Sequence, residues 1–388
     1  MVLVAVGHGG ILAELLVGLV VRIHEVTASA VEPRPGRLDP EMVVSLAGQF
    51  ALSAGALQYA LQNPFPNFIG VLDDKYILEQ EIGSGTSSIV YKVIDSFSFK
   101  KYAAKVFFDD KKIFFKNEIK FNQIISSSEN PFFLKYISSS CGYLELNGTS
   151  EMKNYIIFNL CSKGELCDYM QCNRTGFNDT NCKIIMYKLI RAIQALHKMG
   201  ICHKDLKLQN ILLDGDNFQI KIGDFGLSFF TEIKNKKISQ FGKFGTKEYM
   251  APEIIKGIKY DGEKADIFSL GIILFILRNY HFPFPNSRIT SFGNPNQKLY
   301  KLIKDNQSKY YWNLLENSGI IKGLSPEFKN LFIKMVAFNP DNRPTLEDIL
   351  QDEWMKEIIN LKEEEFKVYE QNLITELKKR EGIINKQK

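Results

Sequence analysis

Short runs of alternating apolar and polar residues lie between residues 76 and 161. Alternation of this kind is typical of β-strands, because successive side chains point to opposite faces of a sheet. It predicts four strands, the last of which is mostly apolar: Tyr76–Glu81, Ile89–Ile94, Lys101–Phe107 and Tyr155–Cys161.

Longer stretches repeat apolar residues at the 3.6-residue period of an α-helix. Helices are predicted at Ile113–Ile125 and Ile184–Met199, and a long apolar helix is predicted from Ala265 through Leu277. The chain therefore contains both strands and helices, and its long apolar helices follow its strands.

The tail at residues 356–388 is charged and favours a helix, with apolar side chains on one side. Two interpretations remain open. The helix packs on the preceding domain, or it is an autoinhibitory or partner-binding segment, such as a calmodulin target. Periodicity over only about four turns is too short to indicate a coiled coil. The apolar residues are Phe366, Tyr369, Leu373 and Leu377.

Residues 1–70 differ in composition from the rest of the chain. No lysine occurs before Lys75 and no asparagine before Asn63. Two helices are predicted here, at Gly10–Val26 and Pro40–Leu61, on either side of the loop Glu32–Gly36. The segment is interpreted as a docking appendage, a fused fragment or a mis-joined gene model, and we favour the last two.

Composition narrows the class of protein. With 388 residues, 45% of them apolar and 24% charged, the chain is typical of globular proteins. A net charge of +5 is too small to indicate nucleic-acid binding. The longest apolar run, Ile11–Val21, is shorter than the ~20 residues of a membrane span. We therefore expect a cytoplasmic protein, with nuclear access left open. The six cysteines include no C-x-x-C pair, which favours reduced structural thiols over zinc ligands or disulfides.

The clearest chemistry lies in His203–Asn210, which is followed by Asp224–Gly226. Two carboxylates, an amide and a lysine in a loop-forming neighbourhood suit the binding of Mg²⁺ and a polyphosphate while a hydroxyl is activated. The two stretches resemble the catalytic loop and the magnesium loop of the protein kinases, H-R-D-x-K-x-x-N and D-F-G. Lys204 stands where most of the family carries Arg.

The resemblance runs from Lys75 to about Met355. It implies an α+β, two-lobed protein-kinase-like fold, with ATP between a small antiparallel β-sheet lobe that carries one helix and a larger, mainly α-helical lobe. The chain then divides into residues 1–70, a kinase domain at 75–355 and the tail at 356–388. The implied reaction transfers the γ-phosphoryl of Mg-ATP to hydroxyls of protein substrates.

The resemblance implies a phosphate-binding part of the nucleotide site. Gly83 and Gly85 match the glycine-rich loop, in which the backbone can approach phosphate closely. Ser88 replaces the third glycine of the family. Lys105 should pair the α- and β-phosphates, and Glu118 should hold that lysine in place.

The resemblance also implies an adenine-binding part. Phe158 should lie at the back of the pocket, and the backbone of Asn159 and Cys161 should offer hydrogen bonds to the base. Glu165 could face ribose or a basic substrate residue, or simply stabilise a helix N-terminus. The implied ATP-binding residues are Ile82, Gly83, Ser84, Gly85, Val90, Ala103, Lys105, Glu118, Phe158, Asn159, Cys161 and Leu212.

By the same resemblance, Asp205 should orient the substrate hydroxyl and accept its proton, and Lys207 should neutralise charge on the γ-phosphoryl. Asn210 and Asp224 should hold the Mg²⁺ ions. Thr246 should bond Asp205 and Lys207, which favours serine or threonine over tyrosine as the acceptor.

Structural roles are implied for three charged residues. Asp266 should tie down the backbone of the catalytic loop, and Arg343 should pair with Glu253, because buried charges are usually paired.

Two departures from the family concern regulation. The usual activating phosphorylation site falls on Gly242, which cannot be phosphorylated, and Lys204 replaces the phosphate-binding Arg. We therefore expect little dependence on that switch, and Ser239 and Thr231 are the alternative sites.

The sequence thus predicts a serine/threonine kinase, with a subgroup similarity to calcium/calmodulin-dependent kinases. The alternative is a pseudokinase that acts as a nucleotide-binding scaffold, which only Ser88, Lys204 and Asn122 support. Asn122 occupies a position that is usually apolar in the family and could loosen the helix that carries Glu118. Protein substrates are expected partners, and the tail could bind a regulatory partner.

Overall fold

The computed structural model describes residues 69–233, 236–237, 239–284, 298–321 and 323–387. The helices predicted at Gly10–Val26 and Pro40–Leu61 lie outside the described residues. The described residues form two compact units, one containing residues 69–116 and Lys135–Leu160 and the other containing Asn117–Leu134 and the described residues from Cys161 onward.

The first unit is built from six antiparallel strands that close into a barrel. Each pairs with two neighbours in the order β1-β2-β3-β4-β6-β5, and β1 closes the sheet by pairing with both β2 and β5. The strands are β1 Gly70–Leu72, β2 Tyr76–Ser84, β3 Ser88–Asp95, β4 Lys101–Phe107, β5 Tyr136–Leu146 and β6 Thr149–Asn159. The predicted strands are present, whereas β1 and β5 lacked a pattern strong enough to predict them.

The register of these strands aligns residues that the sequence analysis assigns to nucleotide binding. Gly83 on β2 is paired with Val90 on β3, and Val90 is paired with Lys105 on β4. On the other side of β4, Ala103 is paired with Phe158 of β6. Strand pairing therefore brings five predicted residues onto adjacent positions of one sheet.

The second unit is mainly helical. Its helices are α1 Lys112–Ser126 (which begins in the first unit), α2 Leu166–Gln171, α3 Asp179–Lys198, α4 Pro252–Lys256, α5 Gly262–Asn279, α6 Lys298–Lys304, α7 Ser308–Asn317, α8 Pro326–Met335, α9 Leu346–Leu350, α10 Lys356–Ile359 and α11 Glu363–Gln387. Short strands complete it: β7 Gly164–Glu165, β8 Ile201–Cys202, β9 Ile211–Asp214, β10 Gln219–Ile222, β11 Phe229–Phe230, β12 Glu232–Ile233 and β13 Lys236–Lys237.

Helix α5 lies at the centre of the helical unit. Its residues from Ala265 to Leu277 are all buried, which explains why the predicted helix is apolar around its whole circumference. It is capped by Asp261, whose side chain accepts hydrogen bonds from backbone N–H groups of the first turn. No helix among the described residues is long and apolar enough to cross a membrane.

Helix α3 starts earlier than its apolar period predicts. The period begins at Ile184, but the helix begins at Asp179, after Asn178 accepts a hydrogen bond from the backbone N–H of Asn181. Polar residues in the first turn hide this start from a search for apolar periodicity, whereas the capping residue reveals it.

The tail helix α11 packs on α2 and α3. Leu373 and Leu377 are buried in this contact, and Phe366 packs edge-on against Tyr187. Arg380, only 2% exposed, donates hydrogen bonds to the carbonyl oxygen of Tyr169 in α2 and to that of Thr175 in the loop that follows α2. The observed packing agrees with the first of the two interpretations of the tail.

Candidate active site

A single carboxylate holds the backbone of the catalytic loop. Asp266, on α5 and fully buried, accepts hydrogen bonds from the backbone N–H of His203 and of Lys204, each at 2.9 Å. Nε2 of His197 lies 2.9 Å from the same carboxylate. Lys204 adopts a left-handed conformation with φ of 70°. These bonds satisfy two N–H groups in a strained turn, and they fix where the next residue, Asp205, points.

Asp205, Lys207 and Thr246 form a compact polar cluster. Nζ of Lys207 lies 2.9 Å from Oδ2 of Asp205 and donates to Oγ1 of Thr246 at 3.0 Å. The backbone N–H and the hydroxyl of Thr246 both donate to Oδ1 of Asp205, at 2.7 and 2.8 Å. One carboxylate oxygen thus receives two donors, and the other faces the lysine. Such a set can position a hydroxyl near Oδ2 and place a positive charge beside it.

The predicted metal ligands belong to two loops joined by their backbones. Nδ2 of Asn210 donates to the carbonyl oxygen of Asp205 at 2.8 Å, so the amide oxygen is the atom that a metal ion would take. The backbone N–H of Gly223 donates to the carbonyl oxygen of Asn210 at 3.0 Å. Asp224 follows directly and has φ of 63°, a left-handed turn that redirects its side chain.

Asn117 supports the magnesium loop, and the sequence analysis missed this residue. Its amide Nδ2 donates to the carbonyl oxygens of Gly226 and Ser228, at 2.8 and 3.0 Å. Asn117 comes directly before Glu118 on α1. A polar residue beside a predicted functional glutamate was the only signal, and no spacing rule connects it to residue 226.

Aromatic packing holds the two loops together. The rings of His203 and Phe225 lie 5.1 Å apart, and Phe133 meets Phe225 edge-on at 5.9 Å. Nε2 of His203 lies 3.0 Å from the carbonyl oxygen of Gly223. His203 and Phe225 are both fully buried, which fits a packing role better than a chemical one.

The ion pair expected between Glu253 and Arg343 is present and bidentate. Nη1 and Nη2 of Arg343 lie 2.6 and 2.8 Å from the two carboxylate oxygens, and both side chains are buried. Arg343 also donates to the carbonyl oxygens of Ala337 and Lys264. The guanidinium is thus well satisfied, and Glu253 anchors the end of the activation segment, residues 228–253.

In the first unit, the glycine-rich turn leaves its backbone accessible. Gly85 is exposed, and its backbone N–H donates to the carbonyl oxygen of Ser88 at 2.9 Å. The nearest atoms to a side chain added at Gly83 would be those of Val90, at 3.8 Å. Ser88 is buried, so the residue that replaces the third glycine does not fill the turn with its side chain.

The other predicted nucleotide-binding residues of the first unit differ in their exposure to solvent. Lys105 is 7% exposed, and Ala103 and Phe158 are also buried. Ile82 and Asn159 are exposed. The backbone N–H of Asn159 donates to the carbonyl oxygen of Lys135.

In the second unit, Glu118 is 1% exposed and lies on α1. Leu212 on β9 is paired with Glu165 on β7. Burial raises the pKa of the Cys161 thiol to about 12, so this thiol is neutral at physiological pH. Burial, with a smaller contribution from Asp168, raises the pKa of Glu165 to about 7.

Asn122 is buried and only partly satisfied. Its Nδ2 donates to the carbonyl oxygen of Glu118 at 2.9 Å, one turn earlier in α1. Its Oδ1 accepts no hydrogen bond from the described residues. A buried acceptor without a donor is costly, which gives a physical basis to the expected loosening of this helix.

Lys204 faces aromatic rings. Its Nζ lies 5.0 Å from the ring centroid of Phe244, 5.5 Å from that of Phe229 and 5.7 Å from that of Tyr260. Burial lowers the pKa of Lys204 from its ordinary value. Sequence reasoning did not predict this aromatic cluster, because its rings come from three separate parts of the chain.

Comparison with known proteins agrees with this geometry. A family model described as protein kinase domain matches residues 76–355. The chain is similar to CBL-interacting serine/threonine-protein kinase 13 of Arabidopsis thaliana, at 32% identity over 294 residues, which cover 74% of this chain and 52% of the relative. It is also similar to human NUAK family SNF1-like kinase 1, at 31% identity over 290 residues, covering 73% of this chain and 39% of the relative.

A third relative is mouse serine/threonine-protein kinase 33, at 28% identity over 297 residues, covering 73% of this chain and 55% of the relative. The chain therefore spans about half the length, or less, of these curated relatives.

Proposed function

Because the chain belongs to the protein kinase family, we propose that it is an active serine/threonine kinase that transfers the γ-phosphoryl of ATP to protein hydroxyls. The observation that carries this proposal is the cluster of Asp205, Lys207 and Thr246, in which every side-chain nitrogen and oxygen atom lies within 3.0 Å of a partner. Two of the similar relatives are named serine/threonine-protein kinases and the third is named a SNF1-like kinase, which supports the same class of enzyme.

Each member of the cluster has a distinct role in the proposal. Asp205 orients the acceptor hydroxyl and takes its proton at Oδ2, since Oδ1 is occupied by the two donors of Thr246. Lys207 stays beside Oδ2 and stabilises negative charge that develops on the transferred group. The cluster lowers the barrier mainly by fixed positions and fixed charges, as is usual for phosphoryl transfer.

The described residues fit ATP and Mg²⁺ as the cofactors. Asn210 and Asp224 offer oxygen atoms, which Mg²⁺ prefers, and an open glycine turn in the first unit suits a phosphate chain. Mg²⁺ would neutralise charge on the phosphates. Lys105 and Glu118 are both buried charged groups, as expected for residues that bind and orient phosphate.

The proposal includes activity without phosphate at the usual activating position. Gly242 occupies that position and offers no hydroxyl. Lys204, where the family carries a phosphate-binding Arg, lies near aromatic rings. We therefore propose that treatment with a phosphatase leaves most of the activity intact.

The test is transfer from [γ-³²P]ATP by the full chain, compared with Asp205→Ala and Lys105→Met. We expect loss of signal in both variants, phosphoserine or phosphothreonine in the product, and retention of activity after phosphatase treatment. Equal signal from all three proteins would assign the activity to a contaminant. Nucleotide binding without transfer would favour the pseudokinase. Loss of activity on phosphatase treatment, reproduced by Ser239→Ala, would overturn phosphate independence.

A further inference from the structure

Three aromatic rings surround the ammonium group of Lys204. Tyr260 and Phe229 are 3% and 9% exposed, whereas Phe244 is 51% exposed. Distances of 5.0 to 5.7 Å from Nζ to the ring centroids fall within the range of cation–π contacts. We call Phe229, Phe244 and Tyr260 the aromatic box.

A lysine in such a place needs a partner for its charge, because a desolvated ammonium group is costly when nothing compensates it. Aromatic faces supply that compensation, and cation–π contacts gain strength as water is removed. The same burial lowers the pKa of Lys204 from its ordinary value.

Phe244 lies close in sequence to Thr246 of the catalytic cluster. Two residues later, Thr246 donates its N–H and its hydroxyl to Asp205. Between them, a side chain added at Gly245 would lie 3.1 Å from the carbonyl oxygen of Lys204. Residues 244–246 therefore run alongside residues 204–205. Phe244 contacts Lys204 at one end, and Thr246 contacts Asp205 at the other.

Gly242 makes this arrangement possible. Its φ of 106° is accessible mainly to glycine, and a side chain at this position would come within 2.6 Å of the Phe244 ring. The loss of a phosphorylatable residue at position 242 and the presence of a ring at position 244 are thus two parts of one local structure.

We propose that Phe244 is a positioning residue for catalysis, which holds the activation segment on Lys204 so that Thr246 meets Asp205. The ring and the ammonium group supply a contact of the kind that the family resemblance would place between a phosphate at position 242 and an Arg at position 204. This inference rests on the proposed kinase activity and explains how the segment is held without phosphate.

The experiment measures kcat and KM of the phosphatase-treated full chain for ATP and for a protein substrate. Phe244→Leu keeps an apolar side chain and removes the ring, and Lys204→Met keeps the length and removes the charge. We expect each to lower kcat/KM for the protein substrate about tenfold, or ~1.4 kcal/mol at 25 °C. The effect should fall on the protein substrate, with KM for ATP changed less than twofold.

Conservative variants provide the second arm. Phe244→Tyr and Lys204→Arg keep the ring and the charge, and we expect both to stay within about threefold of the wild type. Phe241→Leu is the matched control, because Phe241 is 62% exposed and lies three residues away in the same segment. It should leave activity unchanged.

The double variant, Phe244→Leu with Lys204→Met, decides the mechanism. If the ring acts through the ammonium group, the double variant loses no more activity than either single variant. Multiplied losses would mean two independent packing effects and would overturn the inference, as would wild-type activity in both single variants. An inactive wild type would instead refute the proposed function, so the two failures are distinguishable.

Discussion

Two cations anchor the activation segment, and they are satisfied in opposite ways. Arg343 is 2% exposed and holds Glu253 through two charged hydrogen bonds. Lys204 faces rings, one of which is half exposed. The first contact is all-or-none, because loss of either partner leaves a buried charge unpaired. The second can weaken gradually. The end of the segment at Glu253 is therefore a fixed support, and the part at Phe244 is the place where its hold can be adjusted.

The strongest test of this comparison removes the fixed support. Arg343→Ala should lower the free energy of unfolding by about 3–5 kcal/mol, because Glu253 would remain buried without its partner. Urea denaturation measures the change. Arg191→Ala, at an exposed position on α3, is the control and should change stability by less than about 0.5 kcal/mol. A loss of under 1 kcal/mol for Arg343→Ala would remove the distinction between the two cations.

A third cation lies between these extremes. Arg380 is as buried as Arg343 but donates mainly to backbone carbonyl oxygens, those of Tyr169, Thr175 and Gly176, at 2.9 to 3.0 Å. Its Nε also donates to the partly exposed carboxylate of Glu376 at 2.7 Å. Arg380→Met should cost about 2–3 kcal/mol, less than Arg343→Ala, because the groups left without a donor are neutral carbonyls and a carboxylate that water can reach. Denaturant midpoints provide the measurement.

Lys379→Met is the matched control for Arg380, since the neighbouring side chain is exposed. We expect it to be neutral. Equal losses at positions 380 and 343 would mean that carbonyl groups and carboxylates leave similar penalties here.

A buried acid, Glu165, extends the comparison to pH, because burial outweighs the opposing effect of Lys207 on its pKa. Burial raises the pKa of Glu165 from its ordinary value of 4.5 to about 7. Below pH 4.5 this group is protonated in the folded and unfolded states and costs nothing. Above pH 7 it is ionised in both, and the folded state bears the full penalty. Wild-type stability should therefore fall as pH rises from 4.5 to 7 through this group.

Glu165→Gln should remove the decrease in stability between pH 4.5 and pH 7. The variant should gain about 1–2 kcal/mol over the wild type at pH 8, and nothing at pH 4, since part of the side chain remains exposed. Unfolding at the two pH values measures it, with exposed Glu364→Gln as the control. A gain that does not depend on pH would show that ionisation of Glu165 is not its cause.

The smallest expected effect concerns a neutral group. Asn122→Leu removes a buried amide whose Oδ1 has no donor among the described residues, and we expect a gain of about 1 kcal/mol. Thermal unfolding checks it, beside Gln123→Leu on the exposed side of the same helix. A loss of stability would mean that the bond from Nδ2 to Glu118 outweighs the unsatisfied oxygen.

What could be predicted came from local patterns and from the family resemblance. The resemblance implied the roles of the catalytic loop, of Thr246 and of the Glu253–Arg343 pair, whose members lie 90 residues apart, so their contacts were expected. Strands with alternating residues were also found. The closure of the sheet by β1 was not, because three residues carry too little pattern.

The aromatic box and the burial of Arg380 could not be predicted from the sequence, for another reason. Phe229, Phe244 and Tyr260 are ordinary apolar residues until the fold brings them around one ammonium group. Arg380 looks like a solvated charge within a basic run, and only the packing of α11 shows that it is buried. Contacts between residues that are distant along the chain leave no local pattern in the sequence.

The position of Arg380 also fixes where the chain can be shortened. The family match ends at residue 355, yet Arg380, which donates hydrogen bonds to the loop after α2, lies 25 residues beyond residue 355. A fragment that stops at the family boundary would expose the apolar surface that Leu373 and Leu377 cover. For expression and crystallisation, the smallest unit that keeps its own surface intact therefore extends past Arg380.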